Sequence, residues 1–248
     1  MVRPKSAAEI ETLHQGGKIL ATVLDVVSRS IIPGIRTKQL ADIARREVRQ
    51  LGAEAAFLDY SGFPDVICIS VNDMVVHGIP GPQVIKDGDV VSLDFGVKYR
   101  GLVTDSARSY IIGAQDEAKR HLLKGTRLSL EAGLATLKAG VQIGDIGAAI
   151  QSVLEAYKLG IVRDLIGHGV GYAVHEDPDV PNFGHPRTGL TLTSGTVIAI
   201  EPMATLGSSE VYVTADGWGV VTRDGSLSAH FEDTVVVTEN GFKILTRL

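Results

Sequence analysis

Residues 31–48, IIPGIRTKQLADIARREV, find an echo 106 positions further on in LKAGVQIGDIGAAIQSVL. Gly34 aligns with Gly140, Leu40 with Ile146, Ala44 with Ile150 and Val48 with Leu154. In both copies the apolar residues recur at helical spacing behind a glycine turn. Two amphipathic helices could resemble each other by chance. Here, though, each copy follows another helical stretch and precedes strand-like runs. The order helix, helix, strands therefore occurs twice, which predicts an α+β chain of two related halves, about 1–113 and 114–248, packed as one domain around a shared sheet. Polar clefts between such halves are natural sites for chemistry.

Local signals fill in the pattern. Ser6 followed by Glu9 is a capping-box pair, and Ile10, Leu13, Leu20, Leu24 and Val27 extend it into a helix that ends before Pro33-Gly34. Thr37 is expected to cap a second helix that buries Leu40, Ile43, Ala44, Val48 and Leu51, with Gly52 just past its end. Strand-like runs follow near 66–71, 74–77, 90–97 and 102–112, and in the second half near 170–175, 196–201, 210–214, 218–222 and 231–238.

Whole classes of function drop out on composition. The net charge of −5 carries no basic stripe of the kind that grips nucleic acid. No apolar run approaches the length of a membrane span, and MVRPKSAAEIETLHQ lacks the apolar centre of a signal peptide. The single cysteine, Cys68, allows no internal disulfide and fits a reducing compartment, so a cytoplasmic location is expected.

The chemistry is concentrated in acids that sit where acids seldom belong. VVSLDFGVKYRGLVTDSARSY, residues 90–110, reads as a hairpin, and each strand carries one aspartate, Asp94 and Asp105. A turn centred on Tyr99 and Arg100 would set the two directly opposite each other, where like charges repel and need something positive between them. Glu201 lies inside TVIAIEPMA and Glu232 begins the apolar run of FEDTVVVT. His168 and His175 flank the glycine-rich turn of GHGVGYAVHEDP, and His77 stands in MVVHGIPG. Taken singly, each is more often structural. Taken together they are unusual, because Asp and Glu are rarely buried unless paired or bound to metal.

Four carboxylates carry a charge of about −4, which two divalent cations would balance, and a neutral His168 adds a donor without adding charge. A pair of cations sharing carboxylates can hold a bridging hydroxide, which points to hydrolysis. His77 and His175, left off the metals, could donate to a carbonyl oxygen. Competing signatures fail: GHGVG lacks the last glycine of a dinucleotide fingerprint, HEDPD lacks the second histidine of HExxH, and no GxSxG is present.

Over essentially its whole length the chain resembles the type I methionine aminopeptidases. The resemblance is carried by NDMVVHGIPG, GDVVSLDFGVKYRGLVTDSA, GHGVGYAVHEDPDVPNFG, IAIEPM and GWGVVTRDGSLSAHFEDTVVVTENG, which occur in family order. It implies the pita-bread fold, with a mainly antiparallel sheet. It also implies an enzyme that removes the initiator methionine from nascent chains with a small second residue. The resemblance makes Asp94 a ligand of one metal, Asp105 and Glu232 bridges between two, and His168 and Glu201 ligands of the other. Glu201 is in addition the candidate proton shuttle, and His77 and His175 take substrate-positioning and oxyanion roles. Tyr60, Phe63, Cys68 and Trp218 fall at the methionine-pocket positions, where aromatic rings suit a thioether.

The implied cofactor is two divalent ions drawn from Co, Mn, Fe, Zn or Ni. The implied partners are nascent N-termini, with the ribosome as a transient contact, and the implied state is a monomer. The chain departs from the family pattern at Val174, where some members carry an aromatic residue, and at Ala199, where threonine is usual. It departs again at His230 and Asp233, where glutamine and histidine are usual. His14, His121 and His185 are expected to be solvated. Only 25 residues separate His175 from Glu201, too few for the helical insertion of the type II enzymes. Two rivals remain: a proline-specific aminopeptidase or dipeptidase on the same fold, which usually carries an extra N-terminal domain, and a non-catalytic peptide- or histone-binding module, which typically loses metal ligands.

Overall fold

The computed structural model describes residues 2–248. Helix α1 (Ala7–Arg29) starts at the capping box read from the sequence: the Ser6 side chain accepts the Glu9 N–H, and the Glu9 carboxylate accepts the Ser6 N–H at 2.7 Å. Helix α2 (Thr37–Gln50) starts one residue earlier than expected. Arg36 is its cap, with its N–H held by the Gln39 side chain at 2.9 Å, while the buried Thr37 hydroxyl accepts the Gly81 N–H at 2.9 Å. Leu51 lies beyond the last turn and is 40% exposed, so it does not join the buried face.

Helices α3 (Glu117–Ala135) and α4 (Ile143–Ala156) repeat this arrangement. Both α2 and α4 have 14 residues, and the glycines ahead of them, Gly34 and Gly140, share a left-handed φ of 96° and 94°. Isolated bridges, Arg36 to Val84 and Gln142 to Thr191, tie down the two helix entrances in the same way.

All strand pairing is antiparallel among the described residues. In the first half, Val90–Tyr99 pairs with Leu102–Ile111 on one edge and with Cys68–Val71 and Glu54–Ala55 on the other. In the second half a five-stranded sheet runs Gly241–Ile244, Asp233–Thr238, Val197–Ile200, Gly167–Gly169, Glu176–Val180. Two three-stranded sheets complete the structure.

The period-2 alternation of strands separates packing from chemistry. Leu93 and Phe95 face α1 and α2 in one core, whereas Asp94 between them points the other way. Ile198, Ile200, Val235 and Val237 face α3 and α4 in a second core, while Val197, Ala199 and Val236 join a third cluster with Leu13, Phe57 and Val103. The acids therefore sit on the faces turned away from the helices. Side-chain and backbone bonds hold those two faces together. Thr234 Oγ1 accepts the Asp105 N–H at 2.9 Å and donates to its carbonyl at 2.7 Å, and the Glu232 N–H donates to the Ala107 carbonyl at 2.9 Å.

Two expectations are corrected. The hairpin turns at Arg100 and Gly101, both with positive φ (49° and 84°), so Tyr99 pairs with Leu102. That two-residue geometry needs a left-handed second residue, which glycine supplies. Asp94 consequently faces Ala107, and Asp105 faces Gly96, so the aspartates are diagonal neighbours on one face rather than directly opposed. Residues 170–175 form no strand: they are the connection between Gly167–Gly169 and Glu176–Val180, turning at Gly171 (φ 140°).

Candidate metal centre and substrate pocket

One cavity of about 290 Å³ is lined by Tyr60, Phe63, Cys68, His77, Asp94, Asp105, His168, His175, Glu201, Trp218 and Glu232, so every residue read as a metal ligand, a catalytic group or a methionine-pocket wall borders it. Three of them, Asp105, His168 and Glu232, each offer a ligand atom within 4.8 Å of the others. Glu201 adjoins this trio, its Oε1 lying 3.3 Å from His168 Nε2. Asp94 adjoins it through Asp105. The strands account for this convergence. Glu201 and Glu232 stand just outside the paired ends Ile200 and Asp233, and His168 pairs with Ala199, two residues before Glu201. The Ala199 methyl, where a hydroxyl is more usual, packs in the apolar cluster behind the site.

No neighbouring side chain balances the charge these acids carry when ionised. Asp94 Oδ1, Asp105 Oδ1 and Glu232 Oε1 are buried without a hydrogen-bond partner. Burial, then the Asp105 and Glu201 charges, push the Asp94 carboxyl well above the ordinary range. Burial lifts Asp105 to about 7. Glu201 is raised by burial and then by Asp105, and Glu232 by burial and then by Asp105, Glu201 and Asp94. Arg108 does little to relieve this. Its guanidinium donates to the Glu232 and Ala107 carbonyls and to Asp233 Oδ1 rather than to the clustered carboxyls.

The imidazoles bring no charge either. Burial takes His168 down to about 3 and His77 to about 4, and lowers His175. His168 Nδ1 lies 2.9 Å from the Gly169 carbonyl. If that bond holds the proton, Nε2 turns a lone pair toward Glu201 Oε1, and two acceptors so close need a cation between them. Oxygen-rich donors with one imidazole fit a hard or borderline divalent ion.

The pocket walls are positioned by polar anchors outside it. Buried Asp65 accepts from Lys38 at 2.7 Å and Arg45 at 2.6 Å, which pins the turn that carries Tyr60 and Phe63 against α2. Asp216 Oδ1 accepts the N–H groups of Trp218 (2.8 Å) and Gly219 (3.0 Å), and the Trp218 ring meets Phe63 edge-on at 5.2 Å. His77 has a left-handed φ of 60°, a strained conformation for a residue with a side chain. The next residue, Gly78, is fixed by the Ile69 N–H to its carbonyl at 2.8 Å, and His77 approaches Trp218 at 6.5 Å between ring centroids. His175 Nδ1 and the Tyr60 hydroxyl share a hydrogen bond of 3.0 Å, and the His175 ring abuts His168 at 4.1 Å between centroids. Cys68 pairs with Asp94 across the sheet, and burial, then the Asp94 charge, push its thiol up.

Several lining residues escaped sequence reasoning. Phe57 borders the cavity because Gly96 leaves room for it: a Cβ at Gly96 would sit 2.6 Å from Phe57 Cε1. A glycine inside a strand run was the available signal. Met203 also lines the cavity, as do Leu165 and Ile166, and nothing in their local sequence marks them. Val174, noted for its small size, is buried in the cavity wall. Of the outlying histidines, His121 and His185 are exposed, whereas His14 is partly buried beside Lys243 Nζ at 3.2 Å.

Residues 11–239 match metallopeptidase family M24, and the chain belongs to that family. Within it, the full-length likenesses are to methionine aminopeptidases. Methionine aminopeptidase 1 of Bacillus subtilis is 44% identical over all of both chains. The crystal structure of methionine aminopeptidase from Thermotoga maritima superposes with a TM-score of 0.98 at 42% identity, again over all of both chains. Prolidase from Pyrococcus furiosus shares the fold at a TM-score of 0.79 and 24% identity, with 99% of this chain covering 65% of that one. No helix among the described residues is long and apolar enough to cross a membrane.

Proposed function

We propose that this chain is a methionine aminopeptidase, one catalytic domain of two related halves (about 1–113 and 114–248) that removes the initiator methionine from nascent chains with a small second residue. The observation that carries this reading is the cavity itself, which sets an uncompensated acid cluster at the base of an aromatic-walled pocket. Two divalent cations would be held by Asp94, Asp105, His168, Glu201 and Glu232, with Asp105 and Glu232 shared. When bound, they neutralise the cluster, polarise a carbonyl and make water nucleophilic at neutral pH.

The rest of the chemistry falls to the chain. Tyr60, Phe63, Cys68 and Trp218 enclose the methionine side chain, where polarizable aromatic contact favours a thioether. Tyr60 Oη lies 3.0 Å from His175 Nδ1; with the hydroxyl as donor, the ring's proton sits on Nε2 and is available to the substrate carbonyl oxygen. His77, held neutral by burial, supplies a second donor as negative charge develops on that oxygen. The Glu201 carboxylate takes the proton from the attacking water and delivers it to the departing amine nitrogen. Nascent N-termini are the partners this pocket suits, met transiently at the ribosome by a monomer in the cytoplasm.

Turnover of Met-Ala-Ser by metal-free protein supplemented in turn with Co, Mn, Fe, Ni and Zn tests the reading. Release of methionine with at least one cation is expected. Absence of turnover with all five, or faster cleavage of proline-containing peptides, would overturn it.

A further inference from the structure

One buried group points into the acid cluster without a partner of its own. His230 is 1% exposed, and neither ring nitrogen has a hydrogen-bond partner. Its backbone is clamped: Ser109 Oγ donates to the His230 carbonyl at 2.9 Å and accepts the His230 N–H at 2.8 Å, and Ser92 Oγ lies 2.7 Å behind it. A ring anchored in this way has little freedom to find another partner. Its Nε2 ends 3.3 Å from Glu201 Oε2, while the other carboxylate oxygen, Oε1, lies 3.3 Å from His168 Nε2.

The two imidazoles bracketing Glu201 differ in what holds their protons. His168 Nδ1 has the Gly169 carbonyl to donate to, which leaves Nε2 as a lone pair facing Oε1. His230 Nδ1 has no such acceptor, so in the neutral ring the proton is best placed on Nε2, facing Oε2. We propose that His230 is a positioning residue whose Nε2–H holds Glu201 Oε2 and thereby turns Oε1 to the cation side together with His168. The inference rests on the metal reading of this site and adds to it a fixed division of labour between the two oxygens of one ligand. Such hydrogen bonds behind a ligand keep it oriented and are commonly worth roughly 10–100-fold in metal affinity.

Zinc, a diamagnetic probe, allows a test in the intact protein. In zinc-loaded wild type carrying 15N-labelled histidine, long-range proton–nitrogen spectra should show His168 protonated at Nδ1 and His230 at Nε2. A His230 ring protonated at Nδ1 alone, or cationic, overturns the proposal, and this measurement needs no variant to fold. Calorimetric zinc binding to H230L, which offers no donor, should be weaker by roughly 10–100-fold. H230Q, whose amide can reach Oε2, should recover most of that loss. A loss below tenfold in H230L or no recovery in H230Q overturns the proposal. Wild-type protein that takes up no zinc would overturn the metal reading itself.

Discussion

Replacing Asp105 by asparagine should stabilise the metal-free protein at neutral pH while disabling the site. The Asp105 carboxyl is lifted from 3.8 to about 7, chiefly by burial. The folded state therefore holds this proton more tightly than the unfolded chain does. Its stability is intact below about pH 4, falls as the pH rises, and is fully reduced above about pH 7. Roughly three pH units at about 1.4 kcal/mol each set the cost at up to about 4 kcal/mol. Asparagine removes that cost and gives up little in return. The Asp105 backbone keeps both bonds to Thr234, and Oδ1 has no partner to lose.

Urea unfolding in EDTA, run near about pH 5 and about pH 8, measures the effect. Wild type should be less stable at the higher pH. Asp105→Asn should exceed it there by up to about 4 kcal/mol, with the gap closing as the pH falls toward about 4. Adding a cation should close the gap, because ligand at about a thousand times its dissociation constant stabilises by about 4.1 kcal/mol only where the donors are intact. An Asp105→Asn protein less stable than wild type at the higher pH in EDTA, or a gap that does not shrink on acidification, would refute the claim that burying this carboxylate costs the metal-free fold stability.

Asp94→Asn should lower bound metal from two to one per chain, read by elemental analysis, and slow catalysis by orders of magnitude; near-normal activity would refute its role. Tyr60→Phe removes only the hydroxyl on His175 Nδ1, 3.0 Å away, so kcat for Met-Ala-Ser should fall by about fivefold, the worth of about 1 kcal/mol, with KM little changed. Trp218→Ala opens the wall that meets Phe63 edge-on, and KM for the same peptide should rise by at least about tenfold, whereas an unchanged KM would remove Trp218 from the pocket. Lys5 is buried against Glu176 and lies 4.1 Å from the Tyr172 ring, so Lys5→Met should cost about 2 kcal/mol in urea unfolding, less than a fully buried pair because Glu176 keeps some solvent.

The acid cluster could be read from the sequence because each carboxylate breaks an apolar run, and in a strand such a break has one physical meaning on each face. Asp94 between Leu93 and Phe95 is the clearest instance: alternation alone puts it opposite the helices. The hairpin register could not be read so safely. Moving the turn by one position, to Arg100 and Gly101, changes every pair sum by two and leaves the same side chains on the same face, so the apolar pattern cannot detect it. The loop at 170–175 was mistaken for a strand because Val170 and Val174 are buried, yet they are buried as cavity and cluster residues around a glycine turn. Strands of two or three residues, such as Gly160–Ile161, are too short to carry a period at all.

What stayed hidden was the network behind the site, and for a common reason: its partners are distant in sequence and charged, so no local pattern links them. Asp233 is fully buried beside Glu232, and its carboxylate is shared between Arg108 at 2.5 Å and the Arg247 Nη2 at 2.6 Å, while Thr246 Oγ1 donates to it at 3.1 Å. The same Arg108 donates to the Glu232 carbonyl, and Ser106 Oγ reaches that carbonyl at 2.6 Å. The backbone of Glu232 is thus held by groups that leave its side chain unpartnered. The same division recurs at His77, His168 and His230, each with a bonded main chain at or beside it and ring atoms open to the cavity or to Glu201. Asp94 and Asp105 come from the first half of the chain and His168, Glu201 and Glu232 from the second, while each half packs its own helices on its own core. Stability can therefore reside in those two cores and in the clamps. The shared face between them remains free to hold a charge arrangement that would be too unfavourable to serve as a core of its own.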